Sequence, residues 1–220
     1  MGANSPGGFG ARWGDAFVGV AYQANIRSST GNDGAVAAGV GLGNPWTLVG
    51  LDVAVVSFST VRSGLGRRMG VDFKVHRVLP GLIGIAVGWE SALLRGDTDG
   101  LRSRYAAASR WFQLRDDDAL FSALVVSAGM GNGRFVRPDD WVAGKRIGFF
   151  GSVAVRVAPP LSVVADWTGQ DLALATSIAP FERHSVVFVA GFVDLTGTAG
   201  EDGARFVISA SYGFRFRPNS

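Results

Sequence analysis

Along most of this chain, apolar residues alternate with small or polar ones. Ala16, Val18, Val20 and Tyr22 interleave with Gly19, Ala21, Gln23 and Asn25, and Ile83, Ile85, Val87 and Trp89 with Gly84, Ala86, Gly88 and Glu90. A period of two means extended strands with two unlike faces. Which face meets water decides the architecture. A soluble barrel turns its apolar face inward and needs a charged exterior. Here the second face is mostly Gly, Ala and Ser, with few charges. The reverse arrangement fits better: apolar residues toward lipid, small and polar residues around a lumen.

Twelve segments carry the pattern: 15–27, 35–42, 47–59, 69–78, 82–91, 105–114, 120–131, 146–157, 161–168, 171–179, 185–195 and 205–216. The connections add an independent signal. After even segments they are tight and built from turn residues, as in Gly43-Asn44-Pro45, Leu79-Pro80-Gly81, Ala158-Pro159-Pro160 and Pro180-Phe181-Glu182-Arg183. After odd segments they are mostly longer and more polar, Gly169-Gln170 excepted. Membrane barrels of this kind have short turns on one side and long loops on the other. The expected fold is therefore all-β: a single transmembrane antiparallel up-and-down β-barrel of about 12 strands over 15–216. The Gly-rich segment 1–14 is either periplasmic or a short plug in the lumen, and 217–220 form a short tail.

Composition agrees. The 220 residues are 47% hydrophobic and only 18% charged, too apolar for an ordinary soluble surface. Yet no stretch approaches the roughly 18 consecutive apolar residues of a membrane helix. A barrel resolves that contrast, because its backbone is satisfied between strands. The absence of Cys excludes thiol catalysis and Cys-ligated metal. A net charge of +3 without any block of like charges argues against nucleic acid as a partner. Met1-Gly-Ala-Asn-Ser-Pro-Gly-Gly8 has neither the basic start nor the apolar stretch of a signal peptide. That start implies a mature chain with a replacement Met, or another targeting route.

Aromatic residues gather near segment ends. Phe17, Trp46, Trp111, Phe112, Phe121, Phe214 and Phe216 lie toward the short turns, and Phe58, Trp89, Tyr105, Trp167 and Phe206 toward the long loops. They read as two interfacial girdles. With these features the chain resembles bacterial outer-membrane β-barrel proteins of porin-like type. The segment Phe206-Val-Ile-Ser-Ala-Ser-Tyr-Gly-Phe-Arg-Phe216 resembles the alternating C-terminal strand ending in Phe that the barrel-assembly machinery recognises, although Arg217-Pro218-Asn219-Ser220 follow it. Phe149-Phe150-Gly151-Ser152 and Asp166-Trp167-Thr168-Gly169-Gln170-Asp171-Leu172 are similar to a hairpin recurrent in porin-like and polysaccharide-associated barrels. The resemblance implies an outer-membrane location and passive transport.

The period assigns an inward face. Toward the long loops it holds Gln23, Asn25, Arg27, Asp72, Glu90 and Asp166; midway Asp52, Lys74 and Ser152; toward the short turns His76, Arg110, Arg156 and Arg215. Charges in a lumen select ions, because a low-dielectric tube concentrates the field. The deep cations outnumber the deep carboxylate Asp52, which predicts a mild anion preference. The same residues can instead pair across strands and plug the barrel, Asp52 or Asp72 with Lys74 and Glu90 with an Arg. Inward Gly19, Gly39, Gly41, Gly50, Gly84, Gly88, Ala106 and Ala108 favour open space.

The expected function is a pore for passive diffusion of small polar solutes or ions, with no cofactor. The alternative is an envelope barrel whose long loops bind a protein or polysaccharide, and a homo-oligomer is compatible with both. Chemistry finds little support. His76 stands inside with Asp72 a strand step away, His184 sits in a turn, and no Gly-x-Ser-x-Gly elbow occurs. The two His are far apart and form no metal cluster. Gly129-Met-Gly-Asn-Gly133 is followed by no expected helix, as a phosphate cradle would require. One segment breaks the rule: Val186–Val193 is apolar on both faces, which points to packing against a lumen loop, an inserted segment or another subunit.

Overall fold

A computed structural model describes residues 4–24, 31–96, 102–181, 183–197 and 203–216. In it the alternation resolves into twelve strands: β1 (Asp15–Gln23), β2 (Asp33–Gly43), β3 (Gly50–Phe58), β4 (Arg68–Leu79), β5 (Ile83–Arg95), β6 (Ser103–Gln113), β7 (Ala123–Gly131), β8 (Gly148–Ala158), β9 (Leu161–Trp167), β10 (Leu172–Ile178), β11 (Ser185–Val193) and β12 (Arg205–Arg215). Each pairs antiparallel with its neighbours in the chain, and β1 pairs with β12. The sheet is a closed up-and-down barrel with no free edge. A single helical turn, α1 (Pro138–Val142), interrupts the β7–β8 connection. The inward assignments of Asn25 and Arg27, and the tail 217–220, fall outside the described residues.

Register fixes the two faces. On the exterior, Val18, Ile85, Val153 and Ile208 are between 40 and 45% exposed. Val53 stands opposite Phe73, on the same outer side. The inner positions of these strands are small, polar or charged: Gly50, Asp52 and Ala54 on β3 stand opposite His76, Lys74 and Asp72 on β4. An apolar outer wall around a mixed, partly polar interior is the reverse of a soluble barrel.

The register is irregular at one place that matters for the interior. Val71 pairs with Leu93 and Phe73 with Trp89, so the β5 stretch 89–93 opposes only 71–73 of β4. Ser91 takes φ 52 at this bulge and donates its backbone N–H to Asp72 Oδ1 at 2.7 Å. Bulges of this kind re-aim side chains.

The short-turn half of the interior has its own apolar core. Val125, Ala154 and Val164 form a buried cluster against which Phe9 and Trp111 pack. Nearer the long loops Tyr105, Phe135 and Phe150 form a second cluster. Phe135 is fully buried and comes from a 3-10 turn, Gly133–Phe135, so the β7–β8 connection folds into the barrel mouth.

Candidate functional site

The interior of the barrel is occupied. Residues 4–14 run through it, from the β2–β3 turn, where Trp13 N–H donates to Gly43 O at 2.7 Å, to the long-loop half. Four inward strand side chains hold the segment by its backbone, and Arg134 adds a fifth contact from the β7–β8 connection. Asp52 Oδ1 accepts from Ala11 N–H at 3.0 Å, and Lys74 Nζ donates to Phe9 O at 2.9 Å. Ser109 Oγ accepts from Gly8 N–H at 2.8 Å and shares a hydrogen bond with Ser127 Oγ at 2.7 Å. Asp166, fully buried, accepts from Asn4 N–H at 2.6 Å, Ser5 N–H at 2.9 Å and Ser5 Oγ at 2.5 Å. A buried carboxylate needs such donors, and here the extended segment supplies them.

The inward glycines explain how the segment fits. A Cβ on Gly84 would strike Gly8 and Phe9, one on Gly41 would strike Ala11 and Arg12, and one on Gly50 the His76 ring. Gly88 lies under the Tyr105 ring and Gly39 under Phe17. Space that the sequence suggested for solute is taken up by the N-terminal segment and by inward aromatic rings.

The predicted lining residues divide. Asp52 and Lys74 form an ion pair at 2.9 Å. His76 is buried beside them, its Nδ1 3.9 Å from Asp52 Oδ1, so its carboxylate neighbour is Asp52 and not the expected Asp72. Neither ring nitrogen of His76 has a hydrogen-bond partner among the described residues. Glu90 is gripped at both oxygens by Arg134, at 2.5 and 2.8 Å, and Arg134 also donates to Asn4 O at 3.2 Å. Arg134 was not foreseen, because only folding of the β7–β8 connection brings it inside. Arg156 faces inward at the short-turn end, 3.5 Å from Asp117. Arg215 pairs with Asp15 at 2.7 Å across the β12–β1 seam. Asp72 has no cationic partner within ion-pair distance among the described residues.

Arg110 is a correction. Ser109 points inward, so Arg110 lies on the exterior, exposed, with its guanidinium 4.7 Å from the Phe112 ring. Ala106 and Ala108 are outside with it. The Ala-rich middle of β6 has no hydrophobic contrast, so its alternation alone does not say which face its aromatics take. In fact Tyr105 and Trp111 point inward. Phe17 and Phe58 do the same, their rings against inward Gly39 and Gly70. The girdles are thinner by these four residues. With Arg110 outside and the other cations paired, the charge surplus that predicted anion preference is absent.

Above the segment, in the long-loop half, a cavity of about 750 Å³ remains between β1–β5 and β10–β12. It carries Asp33, Asp72, Glu90 and Asp194 against Arg62, Arg68, Arg134 and Arg205. Asp194 and Arg205 form an ion pair at its rim. In the β7–β8 connection beside the mouth, Asp140 is held below the ordinary carboxylate range by its hydrogen bond from Lys145 Nζ at 2.7 Å. Among the described residues no group of His and carboxylates is arranged to hold a metal.

No known protein family matches this chain, and no curated protein matches it either.

Proposed function

We propose that this protein is an outer-membrane barrel forming a narrow pore for ions or small polar solutes, with its N-terminal segment setting how far the pore is open. One observation carries the reading: the wall is largely apolar outside, and most charged residues of the strands are gathered inside around the axis, whereas Arg77, Arg104 and Arg110 stand on the exterior. Such a wall suits hydrocarbon, where a closed barrel leaves no backbone group unsatisfied. The segment 4–14 narrows the path without being covalently fixed along it, since hydrogen bonds to Asp52, Lys74, Ser109 and Asp166 hold it. Paired lumen charges favour weak ion selectivity.

A second reading is an envelope scaffold whose long loops bind a protein or polysaccharide. The observation favouring it is the degree to which lumen charges satisfy one another and the segment. Planar-bilayer recording separates the two. The full chain is expected to pass ions in small discrete steps. Gly8→Val should enlarge them, because a side chain there meets the Gly84 backbone and must expel the segment. If both proteins fold yet neither conducts at any voltage, the pore reading falls and the scaffold leads, with the connections β5–β6 and β7–β8 as the place to seek a partner.

A further inference from the structure

Strand β11 is apolar on its inner face as well as its outer one. Val189 and Val193 form one apolar strip of the cavity with Val207 of β12, and Val56 and Phe58 of β3 form a second, with Gln23 and Asp33 of the intervening β1 and β2 also in the lining. Water and ions have no use for such strips. They lie in the same cavity as a polar wall formed by Asp72, Ser91, Glu90 and Arg134. A cavity that combines apolar strips with a polar wall fits a molecule with both characters, and about 750 Å³ is within the usual range for small-molecule sites.

The charge on the polar wall selects the ligand. Glu90 is neutralised by the two-pronged contact from Arg134. Asp72 is left with one hydrogen bond, from Ser91 N–H to Oδ1, and no paired cation among the described residues. Asp72, Glu90 and Arg134 together sum to one negative charge. The bulge at Ser91 is the device that holds this carboxylate at the cavity wall. Arg68 lines the cavity too, but four residues along β4, roughly 13 Å toward the mouth. Among the described residues it forms no ion pair with Asp72.

We propose that this cavity binds an amphipathic organic cation, its apolar body along Val56, Val189 and Val207 and its ammonium group at Asp72. The site is independent of whether the lumen conducts. Binding would bury the apolar body and give Asp72 a charge-assisted hydrogen bond to its Oδ2.

Titration calorimetry on the full chain in maltoside micelles tests this with three probes: hexylammonium, hexanol and hexanoate. Hexylammonium should bind saturably, hexanol more weakly and hexanoate not at all. Asp72→Asn keeps the acceptor for Ser91 N–H and should weaken hexylammonium by about tenfold or more, as loss of a charged hydrogen bond implies. Val207→Trp fills the cavity without touching Asp72 and should remove binding of hexylammonium and hexanol together, the strand content by circular dichroism being unchanged. Equal, non-saturating uptake of all three probes overturns the proposal. So does an Asp72→Asn protein that binds hexylammonium as well as the parent. Preference for hexanoate overturns it in favour of an anion held at Arg68.

Discussion

At the scale of single residues, the interior is organised by carboxylates. Asp52, Asp166 and Glu90 each serve a different strip of the chain threaded or folded into the barrel, and each is satisfied by donors that lie far away in sequence. Asp166 makes the tightest of these sites, with three donors from Asn4 and Ser5 on one buried side chain. Asp166→Asn turns one acceptor into a donor facing other donors. An unmade buried hydrogen bond costs about 1–3 kcal/mol, and the penalty falls on the segment because it can leave. Hydrogen exchange of the amides in 4–8 should therefore rise in this variant while β9 amides stay protected. Unchanged exchange in 4–8 would show that Asp166 does not anchor the segment.

At the scale of elements, each strand is a two-sided object, and a substitution is judged by the side it meets. Val153 is outward on β8 and Ser152 inward. If the exterior meets lipid as proposed, Val153→Arg in lipid vesicles should cost about 2–4 kcal/mol of unfolding free energy in urea, the penalty for a charge on a lipid face near mid-membrane. Arg110, also outside, sits near the short-turn end of β6 beside Phe112, where a long side chain reaches the interface. Arg110→Leu should therefore change stability far less. A silent Val153→Arg would contradict a lipid-facing exterior. The element boundaries themselves were largely legible, since short turns carry Pro, Gly and Asn. The β4–β5 bulge was not, because Ser91 and its neighbours have no turn signature and its register is set by the partner strand.

At the scale of the whole molecule, the balance of charge along the lumen governs what the proposed pore would prefer. Lys74 with Asp52, Arg134 with Glu90, Arg156 with Asp117 and Arg215 with Asp15 distribute opposite charges from mouth to mouth. Beyond Glu90 and Arg134 the cavity adds three of each sign, Asp33, Asp72 and Asp194 against Arg62, Arg68 and Arg205, and the buried Asp166 is covered by Asn4 and Ser5. Reversal potentials in a salt gradient should accordingly lie near zero for the parent protein. Asp52→Asn leaves Lys74 uncompensated and should shift them toward anions. A strong preference in the parent, of either sign, would show that the conducting path avoids these pairs.

The sequence by itself determined the wall. Alternation is a local property, read two residues at a time, and it decides strand, face and, with the rhythm of turns, a closed even-numbered barrel. It also marked β11 as anomalous and named Asp52, Lys74, His76, Glu90 and Asp166 as interior residues. Only the tertiary structure decided what fills the wall. The path of residues 4–14, the arrival of Arg134 and Phe135 inside, and the turn of Tyr105, Trp111, Phe17 and Phe58 toward the axis depend on contacts between distant parts of the chain. Where a strand lacks contrast, as in the Ala-rich β6, neither face is preferred on its own. The Gly8–Ser109–Ser127 hydrogen bonds and the space above Gly88 settle which way it turns. A period of two specifies a surface, whereas the contents of a lumen are a packing problem, solved only when all strands are in place.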